Sequence, residues 1–158
     1  NFQTYEPNRC IISNGMASMG ISLPGGIAGA LTDPDRNVVS ALGDGGFLMN
    51  SQELETARRI GADFTCLVFR DDDFGLISWK QSMHRGRSVY TEFDNPDFQQ
   101  YADSFDIPAY RFETVDELRD GLPEAVHADE LNLVEVPIST HVNDRITDQL
   151  DNYFSEAN

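Results

Sequence analysis

Short apolar runs alternate with longer amphipathic stretches along most of this chain. Residues 37–42 and 64–69 are apolar runs of strand length, and residues 50–60 between them have the pattern of a helix. The alternation continues with a helix expected at 95–105, a strand at 109–112, a helix from Thr114 and a last strand at 131–136. This order predicts an α/β fold, specifically a three-layer αβα arrangement with a mainly parallel sheet.

The segments around this core are less regular. Residues 9–13 predict a short strand, and residues 16–31 predict a helix rich in Gly, Ala and Ser, with Pro24 either kinking it or marking a new first turn. Because small side chains allow close packing, we expect this helix to be buried. Residues 74–83 are expected to begin as a loop and become helical, and residues 84–95 to be irregular.

Local signals refine the boundaries. Thr114, with Glu117 three positions later, predicts a capping box at the start of a helix. We divide the chain into a linker or truncated edge at 1–8, a ligand-binding domain at 9–140 and a polar tail or helix at 141–158. The chain opens with Asn1 rather than methionine, so we expect it to be a fragment of a longer polypeptide or a separate subunit.

Two acidic segments follow the two central strands. Gly43-Asp44-Gly45 comes after the first, and Asp71-Asp72-Asp73 after the second, with Asp44 and Asp71 separated by 27 residues. In one βαβ unit both segments lie at the carboxyl ends of parallel strands, where open α/β sheets bind ligands. Carboxylates beside a glycine-rich backbone favour a divalent metal that holds a phosphorylated ligand.

Mg²⁺ prefers oxygen ligands in octahedral geometry, often one or two carboxylates with substrate phosphates. Asp44 and Asp71 can supply two ligands and a backbone carbonyl near Asp73 a third, while the backbone N–H groups of Gly43, Gly45 and Gly46 can meet phosphate. The glycine-rich stretch lacks a lysine, which excludes a P-loop. A phospho-acceptor receiver domain would need a lysine near the end of a late strand. The only lysine is Lys80, in a predicted helix, which argues against a receiver domain.

Charge and composition narrow the class of protein. The net charge of −16 and a pI near 4.2 argue against nucleic acid or an anionic membrane as partners. Lys80 is the only lysine, which favours a salt-adapted protein; an acidic mesophilic protein is the alternative. Cys10 and Cys66 are expected to be reduced core residues. With no apolar stretch of about 18 residues and no signal peptide at its start, we expect the chain to be soluble, and we expect a cytoplasmic location.

The sequence around these motifs resembles that of thiamine diphosphate-dependent enzymes, specifically the acetolactate synthase branch. The resemblance extends from about Tyr5 to Leu150 and covers the diphosphate-binding domain of a family whose subunits usually carry three domains. The stretches that carry it are 13–20 with Leu23-Pro24, 43–54 and 71–81. Many relatives have asparagine where this chain has Asp71.

The resemblance implies a cofactor site. It implies thiamine diphosphate with Mg²⁺, the metal being held by Asp44, Asp71 and the carbonyl of Asp73. Met19 occupies the position of an apolar residue that supports the bent cofactor, and the carbonyl of Ala17 the position that accepts a hydrogen bond from its amine. The full set of cofactor-binding residues is Ala17, Met19, Gly43, Asp44, Gly45, Gly46, Asp71, Asp73, Phe74, Gly75 and Leu76.

The resemblance also implies that a catalytic residue of the complete enzyme is not on this chain. The activating glutamate belongs to a pyrimidine-binding domain of the same or a second subunit, so this chain carries no catalytic residue of its own and should be inactive alone. The complete enzyme, a homodimer or homotetramer, would decarboxylate pyruvate and join the remaining two-carbon unit to a second 2-oxoacid. FAD, if present, would belong to another domain.

The alternative that stays open is another 2-oxoacid decarboxylase of this superfamily, such as a benzoylformate or sulfopyruvate decarboxylase. The presence of Asp44 and Asp71 argues against an assembly domain that has lost the cofactor, and the position of Lys80 argues against a receiver domain. Arg70 and His84 receive no assigned role, His127 is expected on a helix surface, and the other methionines are expected in the core: Met16, Met49 and Met83.

Overall fold

The computed structural model describes residues 3–139. Six helices and four strands follow one another in that range. The order is α1 (Ser22–Thr32), β1 (Val39–Gly43), α2 (Asp44–Asn50), α3 (Glu53–Ile60), β2 (Thr65–Arg70), α4 (Gly75–Arg85), α5 (Phe98–Asp103), β3 (Ala109–Arg111), α6 (Val115–Val126) and β4 (Asn132–Pro137). The tail predicted at 141–158 lies outside the described residues.

The four strands form one parallel sheet in the order β1-β2-β4-β3. This confirms the predicted αβα fold class. In the register between β1 and β2, Gly43 pairs with Phe69, so both strands end at the same edge of the sheet. The residues that follow each strand are therefore brought side by side.

Helix α1 lies close to the sheet because its glycines leave room for neighbouring side chains. A Cβ on Gly26 would lie 2.7 Å from Phe64 Cε2 and 2.9 Å from Ser40 Cβ. Pro24 is the third residue of α1, within the first turn, where its missing N–H has no helical acceptor to lose. The small-residue helix is thus packed on the sheet through one face, so the prediction that it is buried is confirmed for that face only.

The amino-terminal segment departs from the prediction. Residues 9–13 are irregular and largely exposed rather than a strand. The helix predicted from Met16 begins only at Ser22, because Ala17 and Gly20 adopt left-handed conformations with φ of 49° and 83° that interrupt a helix. The helix predicted at 50–60 is largely confirmed by α3, whereas the glycine-rich segment before it forms a separate helix, α2.

Other predictions had mixed outcomes. Thr114 and Glu117 form the predicted capping box of α6, and His127 lies exposed at its end. Cys66 is buried, which raises the pKa of its thiol to about 12, but Cys10 is exposed because its segment is not a strand. The methionines predicted in the core are partly or largely exposed, namely Met16, Met49 and Met83.

The described residues include no helix that is both long enough and apolar enough to span a bilayer.

Candidate functional site

Asp44 lies at the centre of the site, at the point where β1 passes into α2. Its residue is only 1% exposed. Its Oδ1 accepts a hydrogen bond from Gly45 N at 2.8 Å, and its Oδ2 accepts from Asp71 N at 3.2 Å and Asp72 N at 2.8 Å. The buried carboxylate is thus held by backbone donors from both strand ends, as a buried charge requires.

Asp71 brings a second carboxyl group to the same place. Partial burial, the negative charge of Asp44 and a hydrogen bond between the two carboxyl groups raise its pKa from 3.8 to about 6. A Cβ on Gly75 would lie 2.6 Å from Asp71 Oδ2, so Gly75 leaves the space that this carboxylate occupies. A cation between Asp44 and Asp71 would offset their repulsion.

Asn95 is a site residue that the sequence analysis did not single out. Its Nδ2 donates to Asp44 Oδ2 and to Asp72 Oδ1, each at 2.7 Å. Asp72 has a left-handed φ of 56°, and its half-exposed carboxylate accepts hydrogen bonds from Asn95 and Arg70. The only sequence signal was the Asn95-Pro96-Asp97 stretch, which we interpreted as a helix start.

Arg70 supports the same loop from the other side. Its Nε donates to Asp72 Oδ1 at 2.9 Å and its Nη1 to Glu135 Oε1 at 3.1 Å. Glu135 lies in β4 with 1% exposure, and Arg111 Nη1 lies 3.8 Å from the same oxygen. Arg70 thus joins a buried carboxylate in the sheet to the loop that follows β2.

The glycines and apolar residues predicted from the resemblance meet beside Asp44. A Cβ on Gly45 would lie 2.8 Å from Phe74 Cε1 and 3.3 Å from Met19 Cε, so all three residues share one contact region. A Cβ on Gly46 would lie 3.6 Å from Gly20 N. Met19 is 43% exposed, which leaves part of its side chain available to a ligand.

The remaining predicted residues are Gly43, which immediately precedes Asp44, and two exposed residues. Ala17 is exposed in its left-handed conformation, and Leu76 is 63% exposed in the first turn of α4. Gly43 ends β1, and a Cβ on it would lie 4.0 Å from Phe69 O. His84 is exposed near the end of α4, away from the first turn of that helix.

The oxygen atoms of the site suit a hard cation. The described residues contain no group of three or more His, Cys, Asp or Glu side chains arranged for a metal. The predicted ligand set has only two carboxylates, with one backbone carbonyl as the third ligand, so it does not require such a group. Asp73 Oδ1 and Asn95 Oδ1 are buried without a hydrogen-bond partner among the described residues. Spare oxygens beside two paired carboxylates are the donors that Mg²⁺ prefers.

This arrangement defines an α/β domain with an acidic, glycine-lined ligand site at the carboxyl edge of a parallel sheet. Residues 1–136 match the family described as thiamine pyrophosphate enzyme, C-terminal TPP binding domain. The chain belongs to this family.

Curated relatives agree with this assignment. The chain is 36% identical over 156 residues to acetolactate synthase of Bacillus subtilis (strain 168), which covers 98% of the chain and 27% of that protein. It is 33% identical over 147 residues to the catabolic acetolactate synthase of Raoultella terrigena, covering 93% of the chain and 26% of that protein. The chain spans about a quarter of the length of these relatives.

The family also includes proteins with other names. The chain is 34% identical over 140 residues to 3D-(3,5/4)-trihydroxycyclohexane-1,2-dione hydrolase of Shouchella clausii (strain KSM-K16), covering 84% of the chain and 22% of that protein. Family membership therefore fixes the cofactor class and leaves several reactions open.

Proposed function

We propose that this chain is the thiamine diphosphate- and Mg²⁺-binding domain of an acetolactate synthase-like enzyme. The observation that carries the proposal is the paired carboxylates of Asp44 and Asp71 at adjacent strand ends, beside the backbone of Gly45. The acetolactate synthases among the relatives support the choice of reaction.

In this proposal Asp44, Asp71 and the carbonyl of Asp73 would hold Mg²⁺, and the metal would supply positive charge for the diphosphate of the cofactor. We expect the glycine backbone at Gly45 and Gly46 to approach the diphosphate. Bound thiamine diphosphate supplies the carbanion-stabilising chemistry needed to decarboxylate a 2-oxoacid. The chain's own contribution is to bind and orient this cofactor.

A partner domain completes the proposed site. None of the predicted cofactor residues is an acid placed to act on the pyrimidine half, so we expect a pyrimidine-binding domain of the same or a second subunit to supply it. Large apolar side chains are exposed in the segment that precedes Met19 and in the first turn of α4, which suits contact with a partner domain: Ile11, Ile12, Met16, Leu76 and Ile77. The domain alone is expected to be inactive.

The proposed complete enzyme decarboxylates pyruvate, releasing CO2, and joins the remaining two-carbon unit to a second 2-oxoacid. The alternative is a decarboxylase of the same superfamily that releases a simple aldehyde, such as a benzoylformate or sulfopyruvate decarboxylase. The test is product analysis of the complete enzyme supplied with pyruvate, thiamine diphosphate and Mg²⁺. Acetolactate supports the proposal, whereas aldehyde release without acetolactate supports the alternative.

The cellular setting is also a proposal. A net charge of −16 with a single lysine suits a protein that works in a salt-rich cytoplasm, because salt screens repulsion among its surface carboxylates.

A further inference from the structure

We propose that Asn95 is a positioning residue that fixes the orientation of the Asp44 carboxylate for the metal. The inference rests on the proposed function, because it concerns the same site. It goes beyond that function by assigning the task to a residue outside both acidic segments.

The hydrogen bonds at Asp44 are divided unequally between its two oxygens. Oδ2 accepts three, from Asp71 N, Asp72 N and Asn95 Nδ2, of which the bond from Asn95 is the shortest at 2.7 Å. Oδ1 accepts one, from Gly45 N. Each carboxylate oxygen has about two lone-pair positions, so the backbone and amide donors fill Oδ2 and leave Oδ1 a position for a cation or for the hydrogen bond with the Asp71 carboxyl group. Asn95 thereby contributes to the choice of oxygen presented to the metal.

Asn95 also ties Asp44 to the loop that carries the other predicted ligands. The same Nδ2 group donates to Asp72 Oδ1, which Arg70 Nε also contacts, at 2.9 Å. Arg70 is in turn bonded to the buried Glu135. One amide group therefore couples the end of β1 to the loop after β2, and the sheet supports that loop through Arg70.

The position of Asn95 is itself fixed by packing. The segment before it crosses the 71–74 loop through hydrogen bonds from Phe74 N to Thr91 O and from Phe93 N to Asp72 O. The segment after it enters α5, whose Phe98 is fully buried. The ring centroid of Phe98 lies 5.2 Å from that of Phe47, three residues after Asp44. Asn95 is thus anchored on both sides.

The test is the Asn95→Ala variant of the complete holoenzyme. The apparent Kd for Mg²⁺ is measured by calorimetry at saturating thiamine diphosphate, together with the thermal midpoint in EDTA. We expect the Mg²⁺ Kd to rise about 10- to 100-fold, the range typical for partners of metal ligands. Activity at saturating Mg²⁺ should recover, because the residue acts through the metal site.

Matched variants separate positioning from general stability. Asn37→Ala removes an exposed asparagine near the opposite edge of the sheet and should leave the Mg²⁺ Kd unchanged. Asn95→Ser keeps a short hydroxyl donor, should recover part of the lost affinity, and serves if Asn95→Ala does not fold. In the Arg70→Gln background the effect of Asn95→Ala should change, because both residues bond Asp72 Oδ1.

The outcomes distinguish the inference from the proposed function. If the wild-type holoenzyme binds Mg²⁺ with thiamine diphosphate but both Asn95 variants match Asn37→Ala in Mg²⁺ Kd, the positioning role is wrong while the function stands. A lower thermal midpoint with an unchanged Mg²⁺ Kd would assign Asn95 to stability alone. If the folded wild-type protein does not bind the pair, the proposed function fails and the inference with it.

Discussion

The repulsion between Asp44 and Asp71 gives a prediction in which removing a charge stabilises the metal-free protein. The pKa of Asp71 is raised from 3.8 to about 6, first by burial and then by Asp44. A raised folded-state pKa means that the group's contribution to stability is fully present below pH 3.8 and is lost as the pH rises through about 6. Asp71→Asn removes this loss, because the amide stays neutral.

The magnitude follows from the size of the shift. About two pKa units correspond to roughly 3 kcal/mol, at about 1.4 kcal/mol per unit. Because the Asp71 side chain is only partly buried, solvent screens much of this, and we expect a gain of about 1 kcal/mol. The gain should appear at pH 8 and vanish near pH 4, where wild-type Asp71 is largely protonated.

The assay is urea unfolding of wild type and Asp71→Asn in EDTA, at a series of pH values and constant KCl. Asp63→Asn, an exposed change near the opposite edge of the sheet, is the control for lost charge. Added Mg²⁺ should reduce the gain at pH 8, because a cation between the carboxylates removes their repulsion in wild type. The reasoning would be refuted if the free energies of unfolding of wild type and Asp71→Asn differed equally at pH 4 and pH 8. It would also be refuted if wild type were more stable than Asp71→Asn at pH 8.

Three further predictions concern two glycine-to-alanine substitutions and the concentration of KCl. Gly75→Ala places a Cβ 2.6 Å from Asp71 Oδ2, so the Mg²⁺ Kd should rise about 10-fold, whereas Gly25→Ala, with open space around it, should not change it. Gly26→Ala meets the Phe64 ring at 2.7 Å and should lower the free energy of unfolding by about 1–3 kcal/mol in urea; an unchanged midpoint would contradict the packing. Raising KCl from about 0.1 to about 1 M shortens the Debye length from ~10 to ~3 Å and should raise the thermal midpoint; a fall would argue against salt adaptation.

The sheet and the meeting of its strand ends were predictable because they depend on local pattern. Residues 37–42 and 64–69 are apolar over the length of a strand, and a helix between them requires a parallel crossover. Once the strands are parallel, Asp44 and Asp71 must follow them at one edge. The observed register between β1 and β2 has this consequence.

The start of α1 was less predictable because tertiary structure decides it. Ala17 takes a left-handed conformation that alanine rarely adopts alone, and nothing in its local sequence indicates this. Small residues from Met16 onward therefore suggested a helix that the backbone does not form. The exposure of Cys10 has a similar origin, since a short apolar run becomes a buried strand only where a sheet receives it.

The network around Asp72 depends on segments distant in sequence, so spacing alone did not reveal it. Asn95 reaches Asp44 only because the 91–95 segment crosses the loop after β2. One signal could have been used: Glu135 stands within a largely apolar strand, and a buried charge requires a partner. Arg70 and Arg111, in the two strands that neighbour β4, were the available cations.

The most direct measurement is a titration of the folded protein in molar KCl with thiamine diphosphate, with and without Mg²⁺, followed by Trp79 fluorescence. The measurement is repeated with the pyrimidine-binding partner domain present, and with the variants Asp44→Ala and Asp63→Ala. The account predicts Mg²⁺-dependent binding that Asp44→Ala abolishes and Asp63→Ala retains. Absence of binding by the folded protein with its partner domain, or equal binding by wild type and Asp44→Ala, would contradict it.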